Sequence, residues 1–175
     1  MPEQANALLQ RRTFLASALS LLPLLAGRRA EAAVARSRQS ADFWRDKLSP
    51  AAWRVLFAAD TEPPGSSPLN QEKRLGTYLC AACYLPLFAS DAKYNSGTGW
   101  PSFTAPIAAN HVGQQLDHTL WMERTEYHCA RCGGHQGHLF ADGPPPRGER
   151  WCNNGLALRF LPAGESLPAL RGGGG

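Results

Sequence analysis

CARCGGHQGHLFADGPPPRGERWCNNG, residues 129–155, decides how the rest of the chain is read. It carries three of the five cysteines, two histidines three residues apart, a proline-rich loop, and a lone Cys152 between Trp151 and Asn153. Reactive side chains this dense, set among glycine and proline that hold the backbone in tight turns, are unusual in a segment that only packs. Cys129 and Cys132 read as half of a metal clamp and Cys152 as a nucleophile. The rest of the chain must then supply the other half of the clamp and a substrate pocket.

The other half lies upstream. Cys80-Ala-Ala-Cys83 repeats the CxxC spacing, with residues 84–128 between the pairs. Each pair lets two sulfurs point at one centre from a turn, and two such turns make a tetrahedral Cys80/Cys83/Cys129/Cys132 site suited to structural Zn²⁺. Gly133 and Gly134 ease the second turn. Two disulfides are the competing reading, and an oxidising compartment would favour them. A redox CxxC is the other, but the helix start in an α/β setting that it requires is absent.

With the clamp closed, Cys152 is the odd cysteine. A small buried hydrophobe is its ordinary fate. Arg150 nearby favours a thiolate and hence a lowered pKa, and Asn154 offers amide donors. His135 and His138 taken alone are structural or metal ligands, but four cysteine ligands free them for proton transfer.

Around this stretch the pattern is of short strands between turns. A strand is expected around Tyr78–Leu79, another at Leu85–Phe88, a half-buried one over 118–128, and one over 157–161. Asn95–Phe103, NSGTGWPSF, is too rich in Gly, Ser and Pro for a regular element. Phe43, Trp44 and Leu48 suit a short helix. Ser49-Pro50 starts a second, ending near residue 59, with Trp53, Leu56 and Phe57 on one face. The chain closes on RGGGG, read with residues 166–175 as a flexible tail. The whole is expected to be mainly β with a helical N-terminal flank.

With 175 residues, 43% of them apolar and 18% charged, the chain has the composition of a soluble globular domain with appendages. Of its +4 net charge, two units come from residues 1–35, where Arg11, Arg12, Arg28 and Arg29 oppose Glu3 and Glu31. The remainder excludes an electrostatic case for nucleic acid or an anionic membrane. RRTFLASALSLLPLLAGRRAEAAVA, residues 11–35, has the three regions of an export signal: paired arginines, an apolar run too short to span a bilayer, and Ala30-x-Ala32 and Ala33-x-Ala35. Arg11-Arg12 marks the twin-arginine type, so the protein is expected in the periplasm, without stable membrane association after processing. An uncleaved N-terminal membrane helix is the alternative, opposed by Pro23, Gly27 and Arg28-Arg29.

TEPP at 61–64, the two CxxC pairs, KYNSGTGWPSF at 93–103, RTE at 124–126, HQGHLFADGPPPRGERWCNN at 135–154 and LRF at 158–160 follow one another in order. Together they resemble the methionine-R-sulfoxide reductase B family over residues 45–162. The resemblance implies two antiparallel sheets in a tent-like arrangement tied by zinc, within a domain spanning 36–165. It makes Cys152 the catalytic nucleophile, passing through a sulfenic acid, with Asn154, His135 and His138 as its partners. Trp100, Phe140 and Arg150 line the substrate pocket, and oxidised proteins carrying methionine-R-sulfoxide are the substrates. Many members place a resolving cysteine where this chain has Thr98. That departure implies regeneration by an external thiol, such as that of a thioredoxin-like protein. Trp151 and Gly155 also replace the family's usual Tyr and Ser. A non-catalytic zinc-ribbon binding module and a CxxC disulfide oxidoreductase remain the alternatives from other classes.

Overall fold

Nine strands form two wholly antiparallel sheets in the computed structural model, which describes residues 33–118 and 123–173. The expected export signal lies outside the described residues. In chain order the strands are β1 (Gly76–Cys80), β2 (Pro86–Ala89), β3 (Lys93–Tyr94), β4 (Ser102–Phe103), β5 (Val112–Asp117), β6 (Arg124–Cys129), β7 (His135–Phe140), β8 (Arg150–Asn153) and β9 (Leu158–Pro162). The smaller sheet has the order β2-β1-β9 and the larger β3-β4-β8-β7-β6-β5. This is the mainly β, two-sheet architecture expected from the sequence.

Aromatic side chains fill the space between the sheets. Phe88 of the small sheet stacks on Phe103 of the large one at 4.3 Å between ring centroids, and Tyr78 meets Phe103 edge-on at 4.9 Å. Tyr127 and Trp151, neighbours at 4.9 Å, close the far side. All five rings are buried. Offset and edge-to-face pairs of this kind add to the transfer energy of burying so much apolar area.

The N-terminal flank covers one end. Residues Ala41–Lys47 form a 3-10 helix and α1 spans Pro50–Phe57, capped by Ser49, whose hydroxyl accepts from the Ala52 amide at 3.2 Å. The buried stripe of α1 is Ala52, Val55 and Leu56, not the expected Trp53, Leu56 and Phe57. Trp53 instead lies on the flank, its indole donating to the Ala41 carbonyl, while Phe57 stacks on buried Trp44. Leu56 reaches Gly134, where a Cβ would come within 2.8 Å of it.

The carboxyl-terminal segment departs from the expected free tail. The Arg171 amide donates to the Cys83 carbonyl and its guanidinium to the Lys47 carbonyl, while the Gly172 carbonyl accepts from Ser37. The sequence hid these contacts because each of them ends on a backbone carbonyl, which no residue type announces. Among the described residues no helix is long and apolar enough to cross a membrane.

Candidate active site and metal clamp

Both CxxC turns are built the same way. In the first, the Cys80 amide donates to Leu85 and its carbonyl accepts from the Tyr84 amide; in the second, the Cys129 amide donates to Gly134 and its carbonyl accepts from the Gly133 amide. The fourth residue after the leading cysteine has positive φ in each, 75° at Gly133 and 64° at Tyr84. Glycine adopts that conformation freely, whereas Tyr84 is held there with its hydroxyl accepting from Arg159 at 2.8 Å. Cys80 ends β1 in the small sheet and Cys129 ends β6 in the large one, so the turns meet where the sheets converge.

The four sulfurs lie within 4.8 Å of one another. A tetrahedral thiolate site with metal–sulfur bonds of about 2.3 Å has sulfur–sulfur edges of about 3.8 Å. The shortest separations here, 3.6 Å for Cys80–Cys132 and 3.5 Å for Cys83–Cys129, match that edge and join one turn to the other. All four cysteines are free thiols. The clamp residues therefore hold a metal-binding arrangement, and the disulfide reading is not supported.

Cys152 lies on the opposite face of the large sheet. Directly opposed residues of neighbouring antiparallel strands share a face, and register puts Tyr94, Ser102, Cys152, His138, Glu126 and Gln115 in one row across six strands. His135, three residues before His138, belongs on the other face of a regular strand. A bulge brings it round: His128 opposes His135 while Tyr127 opposes Gly137, leaving Gln136 as an extra residue in β7. The imidazole centroids end 5.5 Å apart.

Each imidazole is oriented by a carboxylate. His135 Nδ1 lies 2.6 Å from Glu126 Oε1, and His138 Nε2 lies 2.8 Å from Asp117 Oδ2, which also accepts from Arg124 at 2.7 Å. Burial holds the His138 pKa below the ordinary imidazole value, against the pull of Asp117 and with that of Arg124. Burial opposes charge on Glu126 too, but hydrogen bonds from Gln115 and His135 prevail and keep its carboxyl below the usual range.

A cavity of about 120 Å³ opens over the row, lined by Cys152, His138, Trp100, Phe140 and Asn154 and also by Thr61 and Arg124. Gly137 forms its floor, where a Cβ would collide with the Cys152 carbonyl. The sequence expectations thus converge for Cys152, His138, Asn154, Trp100 and Phe140. His135 and Arg150 fall outside this cavity. His135 stands behind His138, and Arg150 lines a neighbouring one with Thr98.

Asn154 is engaged by backbone: Oδ1 accepts from the Glu62 amide at 3.1 Å and Nδ2 donates to the Gln136 carbonyl at 3.2 Å. Glu62, buried, binds the amides of Gly155 and Leu156 through its carboxylate, while its carbonyl accepts from the Trp100 indole at 3.0 Å. Desolvation raises its pKa although both amides oppose this. One residue of TEPP therefore fixes both the indole wall and the segment after Cys152. Sequence reasoning recognised TEPP and RTE as motifs without assigning Glu62, Arg124 or Glu126 to the site, and missed Asp117 altogether. Asp117 had no motif, and only its pairing opposite Arg124 brings it to the site.

Burial pushes the Cys152 thiol up; Arg150 and a hydrogen bond from Thr98 pull it down without reversing the rise. This corrects the expectation of a depressed pKa. The Arg150 guanidinium donates from one edge to both Asp142 oxygens, at 2.7 and 2.9 Å, and lies 4.2 Å over the Phe140 ring. The Asp142 charge offsets part of its pull on the thiol.

A clamped two-sheet domain with a free thiol, an oriented imidazole and an indole around one small cavity is a thiol-chemistry protein. Residues 48–162 match the family model described as the SelR domain, and the chain belongs to that family. It is 48% identical over 124 residues to the peptide methionine sulfoxide reductase MsrB of Bradyrhizobium diazoefficiens, covering 71% of this chain and 89% of that one. Proteins of the same name from Xylella fastidiosa strain M23 and Leptospira interrogans are 51% and 46% identical over 115 and 122 residues. Those alignments cover 66% and 70% of this chain and 74% and 93% of the relatives.

Proposed function

We propose that this protein reduces methionine-R-sulfoxide in oxidised proteins to methionine, with Cys152 as nucleophile. The observation that carries the reading is the meeting of Cys152, His138 and Trp100 in one cavity. The S-methyl group rests against Trp100 and Phe140, since sulfur favours aromatic contact. His138, its Nε2 turned to Asp117, uses the other ring nitrogen to give the sulfoxide oxygen a proton while the Cys152 sulfur attacks the sulfoxide sulfur. Oxygen ends on Cys152 as a sulfenic acid and methionine leaves. An external thiol then attacks Cys152, releasing water, and a second thiol frees the cysteine. Thr98 offers no second sulfur, which supports this one-cysteine route. His135 and Asn154 act as positioning residues, one behind His138 and the other pinning the segment after Cys152.

The ion at the clamp is Zn²⁺, held by Cys80, Cys83, Cys129 and Cys132, because four thiolates in tetrahedral spacing leave no open position and suit a closed structural site. It ties the two sheets and takes no part in the reaction. The twin arginines and the alanine pairs of residues 11–35 support export to the periplasm.

The test is a dithiothreitol-driven assay on separated methionine sulfoxide diastereomers. Only R should be reduced, and Cys152→Ser should abolish turnover. Activity retained by that variant overturns the assignment.

A further inference from the structure

Two cavities share Trp100 as a wall. One holds Cys152 and His138; the other, of about 250 Å³, has Lys93, Asn70, Gln71 and Asn95 around it. The same four residues, with Tyr94, also line a further opening of about 350 Å³ that reaches Lys73 and Arg74. So much common lining makes the two openings one trough, running from the indole along β3, the last strand of the large sheet. Its wall beside Trp100 is held in place: the Gly99 carbonyl accepts from the Gly65 amide at 2.7 Å and from Asn70 Nδ2 at 2.8 Å. The trough is basic. Lys93, Lys73 and Arg74 face one acid, Glu72, whose carboxylate is taken up by the Arg74 guanidinium at 3.0 and 2.6 Å. Lys93 is half-buried, and its ammonium makes one hydrogen bond, to the Asn70 carbonyl at 3.0 Å. Among the described residues neither Lys93 nor Lys73 is ion-paired to a carboxylate. An ammonium has three donors, and a partly desolvated charge gains from a counterion brought to it.

We propose that this trough takes the polypeptide flanking the sulfoxide, and that Lys93 selects protein substrates with an acidic side chain one or two residues from it. The proposal rests on the sulfoxide reductase reading and narrows its substrate class. With the methionine side chain in the Cys152 cavity against Trp100, the chain that carries it leaves along the same indole. Extended chain advances about 3.3 Å per residue, so one or two residues bring a neighbouring side chain from that cavity to the trough. A carboxylate there meets the Lys93 ammonium, with Lys73 adding charge at the far end. Free methionine sulfoxide has no flanking residues and gains nothing from either lysine.

The test uses short peptides centred on methionine-R-sulfoxide, blocked at both ends, with Asp or its neutral isostere Asn at each flanking position in turn. In the dithiothreitol-driven assay the native protein should favour Asp over Asn at one of these positions by about threefold to fivefold in kcat/KM, the size of a partly exposed ion pair. Lys93→Met keeps the stem and removes the charge, and should bring that ratio to about one. A second arm needs no variant. Raising the ionic strength from about 0.01 to about 1 M shortens the Debye length from about 30 to about 3 Å, and the native preference should shrink with it. Equal rates for Asp and Asn peptides at every position overturn the proposal. So does a ratio that survives in Lys93→Met, even if both peptides slow, because a lysine that only braces Asn70 would affect them alike. A preference indifferent to salt overturns it too. If the native protein reduces none of the peptides, it is the reductase reading that falls.

Discussion

The resting protonation of the reacting pair is the reverse of what the reaction needs. Burial raises the Cys152 pKa above the ordinary thiol value and lowers that of His138 below the ordinary imidazole value, so near neutral pH the pair is thiol and neutral imidazole. The reactive thiolate–imidazolium form is its minor tautomer, present in constant proportion between the two pKa values. The kcat/KM profile should therefore be flat across that window, falling below the His138 pKa and above that of Cys152. Asp117→Asn removes the carboxylate that raises the His138 pKa, so the acid limb should move to lower pH and the plateau should drop. A limb that stays in place in a pH–rate series would separate His138 from the proton transfer. At Thr98 a different exchange is expected. Thr98→Cys puts a second sulfur beside Cys152, and one turnover without reductant should end in a disulfide rather than a sulfenic acid, read as a mass difference on the intact chain.

Among the elements, the bulge in β7 decides the site. Gln136, fully buried, turns its carbonyl to take both the amide and the side-chain Nδ2 of Asn154, at 2.8 and 3.2 Å. That single extra residue sets His135 beside His138 and anchors the segment after Cys152. Nothing in HQGHLF announces it, because a bulge is defined by the partner strand. The sequence showed β1, β2, β9 and α1 but not β3 or β4, two residues each and the second inside the stretch expected to be irregular, nor β5, β7 or β8, whose alternation is broken by glycine and by polar groups at the proposed site. The 118–128 strand was legible in part: β6 occupies Arg124–Cys129, and residues 119–122 lie outside the described residues. The cysteines, His138 and Trp100 were legible because their chemistry requires particular residue types; Asp117 and Glu62 act through geometry alone. Glu62 offers the test at this scale. Glu62→Gln leaves one of the Gly155 and Leu156 amides facing an amide NH₂, an unpaired buried donor costing about 1–3 kcal/mol. Urea unfolding should show that loss, and KM for a sulfoxide peptide should rise because Trp100 loses its anchored carbonyl.

For the whole molecule, the clamp is where sheets and chain ends are joined. Metal binding there is coupled to folding, so chelation should lower Tm: even ~4 kcal/mol of lost binding energy corresponds to roughly 10 °C for a domain of this size. Both ends of the described chain are fastened over the same two turns. Arg131, between Cys129 and Cys132, donates to the Ala35 carbonyl at 2.8 Å and accepts at its own carbonyl from the Ser37 amide at 2.8 Å. Ser37 in turn donates to Gly172, beside the Arg171–Cys83 bond. This bears on where the proposed export signal is cut. A twin-arginine substrate crosses folded, and a peptide bond held in a folded domain is closed to a peptidase that needs an extended chain. The Ala35–Arg36 bond lies between those two contacts with Arg131, so the second alanine pair is blocked while the first, ending at Ala32, precedes the fastened segment. The exported protein should begin at Ala33, and Arg131→Ala should let cleavage after Ala35 appear. Intact-mass measurement of periplasmic protein decides it: a native chain beginning at Arg36 would mean that the Ala35 contact is dispensable, and an unprocessed chain would remove the signal reading.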